Sequence, residues 1–306
     1  MTRDHGLLTL ALVALGAGWG LTQPLTKITV TGGYEPFGII FWQMLIGTLL
    51  LGGLRWRRLG RLPVTPRRLA FWLMIATLGT LIPNSTSYRA AFQLPAGVMS
   101  IVISTIPLIA FPMALALGND RFSWRRMAGL ALGLIGVALI ALPEASLPDR
   151  VMVAFLPLAL IAPFCYALEG NIVAKWGTAG LDPVQVLFGA SAIGVVIALP
   201  LALATDQLRV PTAPFVLADV TMLMGAGIHV VVYTGYIWLV RRGGAVFAGQ
   251  ISYLVTGFGV VWAMLLLREH YSLWVWAALA AMLVGLTLVR PRVAEAPVMG
   301  KALAHE

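Results

Sequence analysis

The sequence predicts an all-α membrane protein of ten transmembrane helices, arranged as two inverted five-helix repeats with both termini cytoplasmic. Three observations predict it. The composition is too apolar for a water-exposed surface, apolar runs of membrane-spanning length alternate with short basic loops, and the two halves resemble each other. Of 306 residues, 59% are hydrophobic and only 11% charged, against about 25% charged in a soluble globular protein. Too little charge remains to cover a surface of this size, so much of it must face lipid.

A helix crosses the roughly 30 Å hydrocarbon core with about 20 apolar residues. Runs of that kind fall at 6–30, 36–54, 69–91, 96–118, 124–142, 151–176, 183–205, 215–240, 245–267 and 271–289. The first has the basic start and apolar middle of a signal peptide, but a counterpart in the second half identifies it as a retained span. With the amino terminus inside, the inner side holds sixteen basic residues: Arg3, Arg55, Arg57, Arg58, Arg61, Arg67, Arg68, Arg121, Arg125, Arg126, Lys175, Arg241, Arg242, Arg290, Arg292 and Lys301. The outer side holds five, Lys27, Arg89, Arg150, Arg209 and Arg268. Cytoplasmic loops carry the excess of Lys and Arg, so the span count is even and the lipid bilayer is the chain's first partner.

The formal charge of +9 therefore belongs to loops between spans and not to a nucleic-acid surface. A single cysteine, Cys165, lies within an apolar run, and His5, His229, His270 and His305 are too scattered for a metal cluster. Neither a phosphate-binding loop nor a metalloprotease or nucleophile-elbow motif is present. No cofactor, no metal and no enzymatic activity are expected.

Self-similarity is the most informative feature. Gly33-Tyr34-Glu35-Pro36, entering span two, returns 147 residues later as Gly180-Leu181-Asp182-Pro183, entering span seven. Phe41, Ile46 and Gly47 match Phe188, Ile193 and Gly194 in the same register. At an offset of 149, Asp120, Phe122 and Ser123 match Glu269, Tyr271 and Ser272, and Leu130, Ala131, Gly136 and Leu139 match Leu279, Ala280, Gly285 and Leu288. The repeats occupy 1–146 and 147–292, with a cytoplasmic tail at 293–306. Five spans is an odd number, so the second copy is expected upside down. Inverted repeats build many secondary transporters, with the substrate near the midplane.

Ten spans in this repeat, an acid-Pro pair before spans two and seven and an acidic residue before spans five and ten resemble the EamA-type drug/metabolite transporter superfamily. The resemblance covers residues 6 to 290. It implies a multi-pass protein of a bacterial inner membrane whose central cavity, lined largely by spans three, four, eight and nine, moves small organic metabolites, often amino acids. Family members typically carry an arginine seven residues after the proline of span two; here Gln43 stands there, and Ala190 in the second copy.

Polar groups within hydrocarbon are costly, and ionisable ones are functional candidates by default. His229 in span eight and Glu169 in span six lie well inside. Tyr233 and Tyr236 follow His229 at helical spacing, and the repeat places Thr80, Asn84 and Ser87 of span three at the matching positions. Both stripes are candidates for a shared cavity, although such groups also serve helix packing. Ser100, Ser104, Tyr253, Thr256 and Trp238 join the candidate lining, and Pro107 and Pro112 mark either a flexing or a statically kinked span four. A histidine changes charge near neutral pH, which makes His229 a candidate for proton coupling. Glu169 is another, or it holds a cationic substrate group or pairs with Lys175 or another helix. The small residues Gly129, Gly133, Gly136, Ala278 and Gly285 are packing surfaces, between halves or between protomers of a homodimer. The expectation is a secondary carrier exporting small metabolites such as amino acids or their analogues by alternating access. Uptake of another small organic solute, an intramembrane enzyme and a non-transporting scaffold subunit are the alternatives.

Overall fold

A computed structural model describes residues 2–58, 64–118, 121–142, 146–243 and 251–288, and among them the chain is entirely helical and irregular, with no strand. The helices are α1 (Thr2–Thr31), α2 (Pro36–Arg58), α3 (Pro66–Gln93), α4 (Ala96–Ala116), α5 (Trp124–Ala141), α6 (Leu156–Trp176), α7 (Pro183–Ala204), α8 (Leu217–Gly243), α9 (Ile251–Leu267) and α10 (Leu273–Leu288). Eight positions, α1 to α8, are long and apolar enough to cross a membrane, and α9 and α10 are shorter apolar helices of 17 and 16 residues. Residues 245–250 of the expected ninth span, Asp120, Gly249 and the tail 293–306 lie outside the described residues.

The repeated sequence signals have repeated structural causes. Gly33 and Gly180 both adopt positive φ, 92° and 73°, a conformation that costs glycine little because it has no Cβ. Each reverses the chain just before Pro36 or Pro183, and proline suits a first helical turn. Asp182 and Gln185 complete a capping box, each side chain accepting the other's backbone N–H at 3.0 Å.

Two helices depart from regular geometry. In α3 a π-helical turn covers Thr77–Leu81, and Ile82 N–H bonds to Thr77 O. Pro83 has no N–H to offer the carbonyl of Gly79, which accounts for the slipped ladder. In α4 the helix breaks at Ser104 and Thr105, just before Pro107. Their hydroxyls donate to Ile101 O and Val102 O, both at 2.7 Å, the same carbonyls that accept the Ser104 and Thr105 backbone N–H groups at 3.1 Å in a tightened turn.

A two-fold exchange relates the halves. The principal helix pairs are α1 with α8 and α9, α6 with α3 and α4, α2 with α7, α5 with α10 and α4 with α9. Exchanging helix one for six, two for seven and so on returns the same set. Individual contacts obey the rule as well. A Cβ on Gly47 would sit 3.1 Å from Ser191 Oγ, and one on Gly194 would sit 2.6 Å from Met44 Sδ. Since residue 44 corresponds to 191 and 47 to 194, this is one contact made twice. In the α5–α10 pair, a Cβ on Gly136 would sit 3.2 Å from Ala278 O and one on Gly285 would sit 2.7 Å from Gly129 O, again a reciprocal couple. Both pairs run antiparallel, because the rising residue of one helix meets the falling residue of the other. The small residues of α5 and α10 thus join the two halves of one chain, and lacking side chains they let the backbones close in.

Candidate functional site: a central cavity with two unlike walls

Between the α3–α4–α6 group and the α1–α8–α9 group lies a cavity of about 620 Å³, with further wall from α2 and α7. That is the size range of a small-molecule site. Of the residues singled out from sequence, Thr80, Asn84, Ser87, Ser104, Pro107, Glu169, His229, Tyr233 and Tyr236 are on its wall. The two polar stripes face one space, with Thr80, Asn84 and Ser87 occupying on α3 the positions that His229, Tyr233 and Tyr236 occupy on α8.

The others lie off the wall. Ser100 is fully buried, donates to Ala96 O at 3.0 Å and packs against Gly259, so it fills the α4–α9 contact. Thr256 is buried and donates to Ser252 O. Tyr253 Oη is buried with no hydrogen-bond partner among the described residues. Trp238 is 36% exposed on the outer face of α8. Pro112 lies inside the second segment of α4, away from the cavity.

The α3 side of the cavity is a hydrogen-bonded amide network. Gln43 Oε1 accepts from Tyr88 Oη (2.7 Å) and Asn84 Nδ2 (3.1 Å), and Asn84 Oδ1 accepts from Tyr166 Oη (2.9 Å). Gln43 and Tyr88 are wall residues that the sequence reading did not select. Gln43 registered only as a departure from the family pattern, although a lone amide amid the apolar run of α2 was itself a signal. Beside this network stands Glu169. Its Oε2 lies 2.8 Å from where a Cβ on Gly79 would be, so the carboxylate rests on bare backbone at the π-helical turn. Among the described residues Glu169 has no hydrogen bond or ion pair, and Lys175 instead donates to Leu117 O at 2.8 Å.

The α8 side is aromatic. Trp19 of α1 has ring centroids 6.3, 6.1 and 6.0 Å from His229, Tyr233 and Tyr236, and the rings are mutually inclined. Trp19 against Tyr233 is the repeat counterpart of Tyr166 against Asn84. The frame is two-fold, but the chemistry carried on it is not.

At one end of the bundle charged side chains join helix ends, next in sequence to the lining residues Thr26 and Ala91. Lys27 Nζ donates to Phe92 O (2.8 Å) and Leu94 O (3.0 Å), at the end of α3. Glu269 accepts from Ala96 N (2.8 Å) and Gly97 N (3.2 Å), at the start of α4, and from Tyr271 Oη. A cation on the last carbonyls and an anion on the first amides both suit the helix dipoles. Burial and the Glu269 hydrogen bond push the Tyr271 phenol above its ordinary range. A second cluster at this end joins Tyr34 Oη to Asp219 Oδ1 (2.6 Å), with Arg209 3.5 Å from the same oxygen and stacked over the Tyr34 ring. Burial and the bond to Asp219 likewise raise the Tyr34 phenol.

A two-repeat, all-helical bundle with apolar helices of spanning length around a central chamber defines a multi-pass membrane protein of the solute-transporter class. The sequence model of the EamA-like transporter family matches residues 6–142 and again 154–290. The chain belongs to the EamA-like transporter family. No curated sequence relative matches it. Among solved structures 28 chains match; one crystal structure is 16% identical, with a TM-score of 0.62 over 92% of this chain and 94% of that one. At that identity the likeness concerns the fold alone.

Proposed function

We propose that this chain is a secondary transporter that carries a small organic solute through the central cavity by alternating access. The observation that carries the proposal is the pairing of Thr80, Asn84 and Ser87 with His229, Tyr233 and Tyr236 on opposite sides of one chamber. Equivalent helices run antiparallel, which supports halves that face opposite ways across the bilayer. Two conformers related by such an exchange have similar energies, so access can alternate at low cost. The excess of basic residues supports termini in the cytoplasm and the Lys27–Glu269 clamp on the outer side, of a bacterial inner membrane in this reading. Export is the proposed direction.

The test is solute counterflow into liposomes holding the purified protein. Asn84→Ala and His229→Ala are expected to lower flux at least about tenfold, the scale of one lost hydrogen bond to a bound ligand, with expression unchanged. Wild-type flux in both variants would remove the cavity from the transport path. Product formation without flux would point to an enzyme.

A further inference from the structure

The geometry points to an organic cation as the solute class: an ammonium head on an aromatic or aliphatic body, with no free carboxylate. This rests on the cavity being the solute's path. Glu169 supplies the counter-charge. Its carboxylate lines the chamber, is seated on Gly79, and has no hydrogen bond or ion pair among the described residues. A lone carboxylate in a low-dielectric wall is costly until a cation or a proton joins it. The described lining contains no lysine or arginine, so nothing on the wall competes for that role.

The aromatic side supplies the second half of the recognition. Trp19, His229, Tyr233 and Tyr236 form a cluster with neighbouring centroids 6.0 to 6.4 Å apart. Ring faces attract a desolvated cation and accommodate an apolar body. Tyr166 and Glu169 stand one turn apart on α6 and line the same chamber as Tyr233, so carboxylate and rings can serve one ligand position. A solute's own carboxylate would fare poorly. It would face Glu169, and the Tyr88 and Tyr166 hydroxyls and the Asn84 amide already donate within the amide network.

The experiment compares four probes of one frame by calorimetry on the purified full chain: phenethylammonium, its N-trimethyl analogue, the neutral alcohol 2-phenylethanol and the zwitterion phenylalanine. Both cations are expected to bind at least about tenfold more tightly than the alcohol and the zwitterion, the scale of an ion pair in a partly screened site. Glu169→Gln is expected to remove that advantage and leave alcohol binding unchanged, and Glu169→Asp to restore part of it. Trp19→Leu, which leaves the carboxylate in place, should weaken the trimethylated probe more than the alcohol. Equal binding of cation and alcohol, tighter binding of phenylalanine, no binding of any probe, or an unchanged cation preference in Glu169→Gln would each overturn the assignment. Counterflow separates the two proposals. Phenylalanine exchanging while the cations do not would sink the cation and keep the transporter; cations that bind but never exchange would do the reverse.

Discussion

Glu269→Gln tests whether the charged end of the cavity is a closed gate. The carboxylate accepts from Ala96 N, Gly97 N and Tyr271 Oη. Glutamine keeps one acceptor oxygen and turns an NH₂ toward a remaining donor. With Tyr271 Oη free to turn away, the two backbone bonds, worth about 1.5–3 kcal/mol each, give way to one neutral bond of about 1 kcal/mol and a mismatched pair, a loss of about 2–5 kcal/mol. Glu269 is half-buried, so the lower end applies. A loss of about 2 kcal/mol, felt only where the clamp is made, raises the open fraction about 30-fold at 1.4 kcal/mol per decade. Met99 reads this out, since it lines the cavity and is 2% exposed. With Met99→Cys in a Cys165→Ala background, a membrane-impermeant maleimide added to intact cells should label Glu269→Gln at least about tenfold faster than the parent. Identical rates in two equally folded proteins would refute a gate at this end. Acceleration seen only in inverted vesicles would put the clamp on the cytoplasmic side.

Two further outcomes follow from the same geometry. Gly285→Ala would bring its Cβ to 2.7 Å from Gly129 O, and backbone cannot yield, so it should cost about 1–3 kcal/mol; Gly136→Ala, which meets the flexible Met282 chain, should cost less. Gly53 faces open space, so Gly53→Ala should be neutral or gain about 0.5–1 kcal/mol, and thermal unfolding that ranked the three in another order would contradict the packing described. If an organic cation is the solute, its affinity should fall once the medium is acid enough to protonate Glu169, because the proton removes the counter-charge. Calorimetry on Glu169→Gln should show a flatter profile, and a parent whose affinity rises on acidification would contradict the sign.

Apolar run length, basic loops and the two repeat offsets located the helices, among the described residues, to within a few residues. The stripes on α3 and α8 were legible because three polar positions at helical spacing share a face whatever the helix packs against. Helix rotation was not legible where the polar groups are hydroxyls. Ser100 and Thr256 bond their own helix's carbonyls, so polarity there imposes no exposure. The clamp was hidden for another reason. Lys27 and Glu269 read as ordinary end-of-helix charges, and their partners are backbone atoms 65 to 173 residues away, which no side-chain pattern announces. Gln43 needed its partners, Asn84 and Tyr88, in view before its part in the wall could be seen.

A duplicated scaffold with unduplicated furnishings has a directional consequence. Had both walls kept matching side chains, a guest could lodge in either of two flipped poses with equal ease. Here Thr22 stands at the counterpart of Glu169, and rings replace the amides, so one pose wins. In the transport proposed above, a polarised guest held in that one pose would keep the same end leading from entry to exit, so its two ends would meet different side chains on the way.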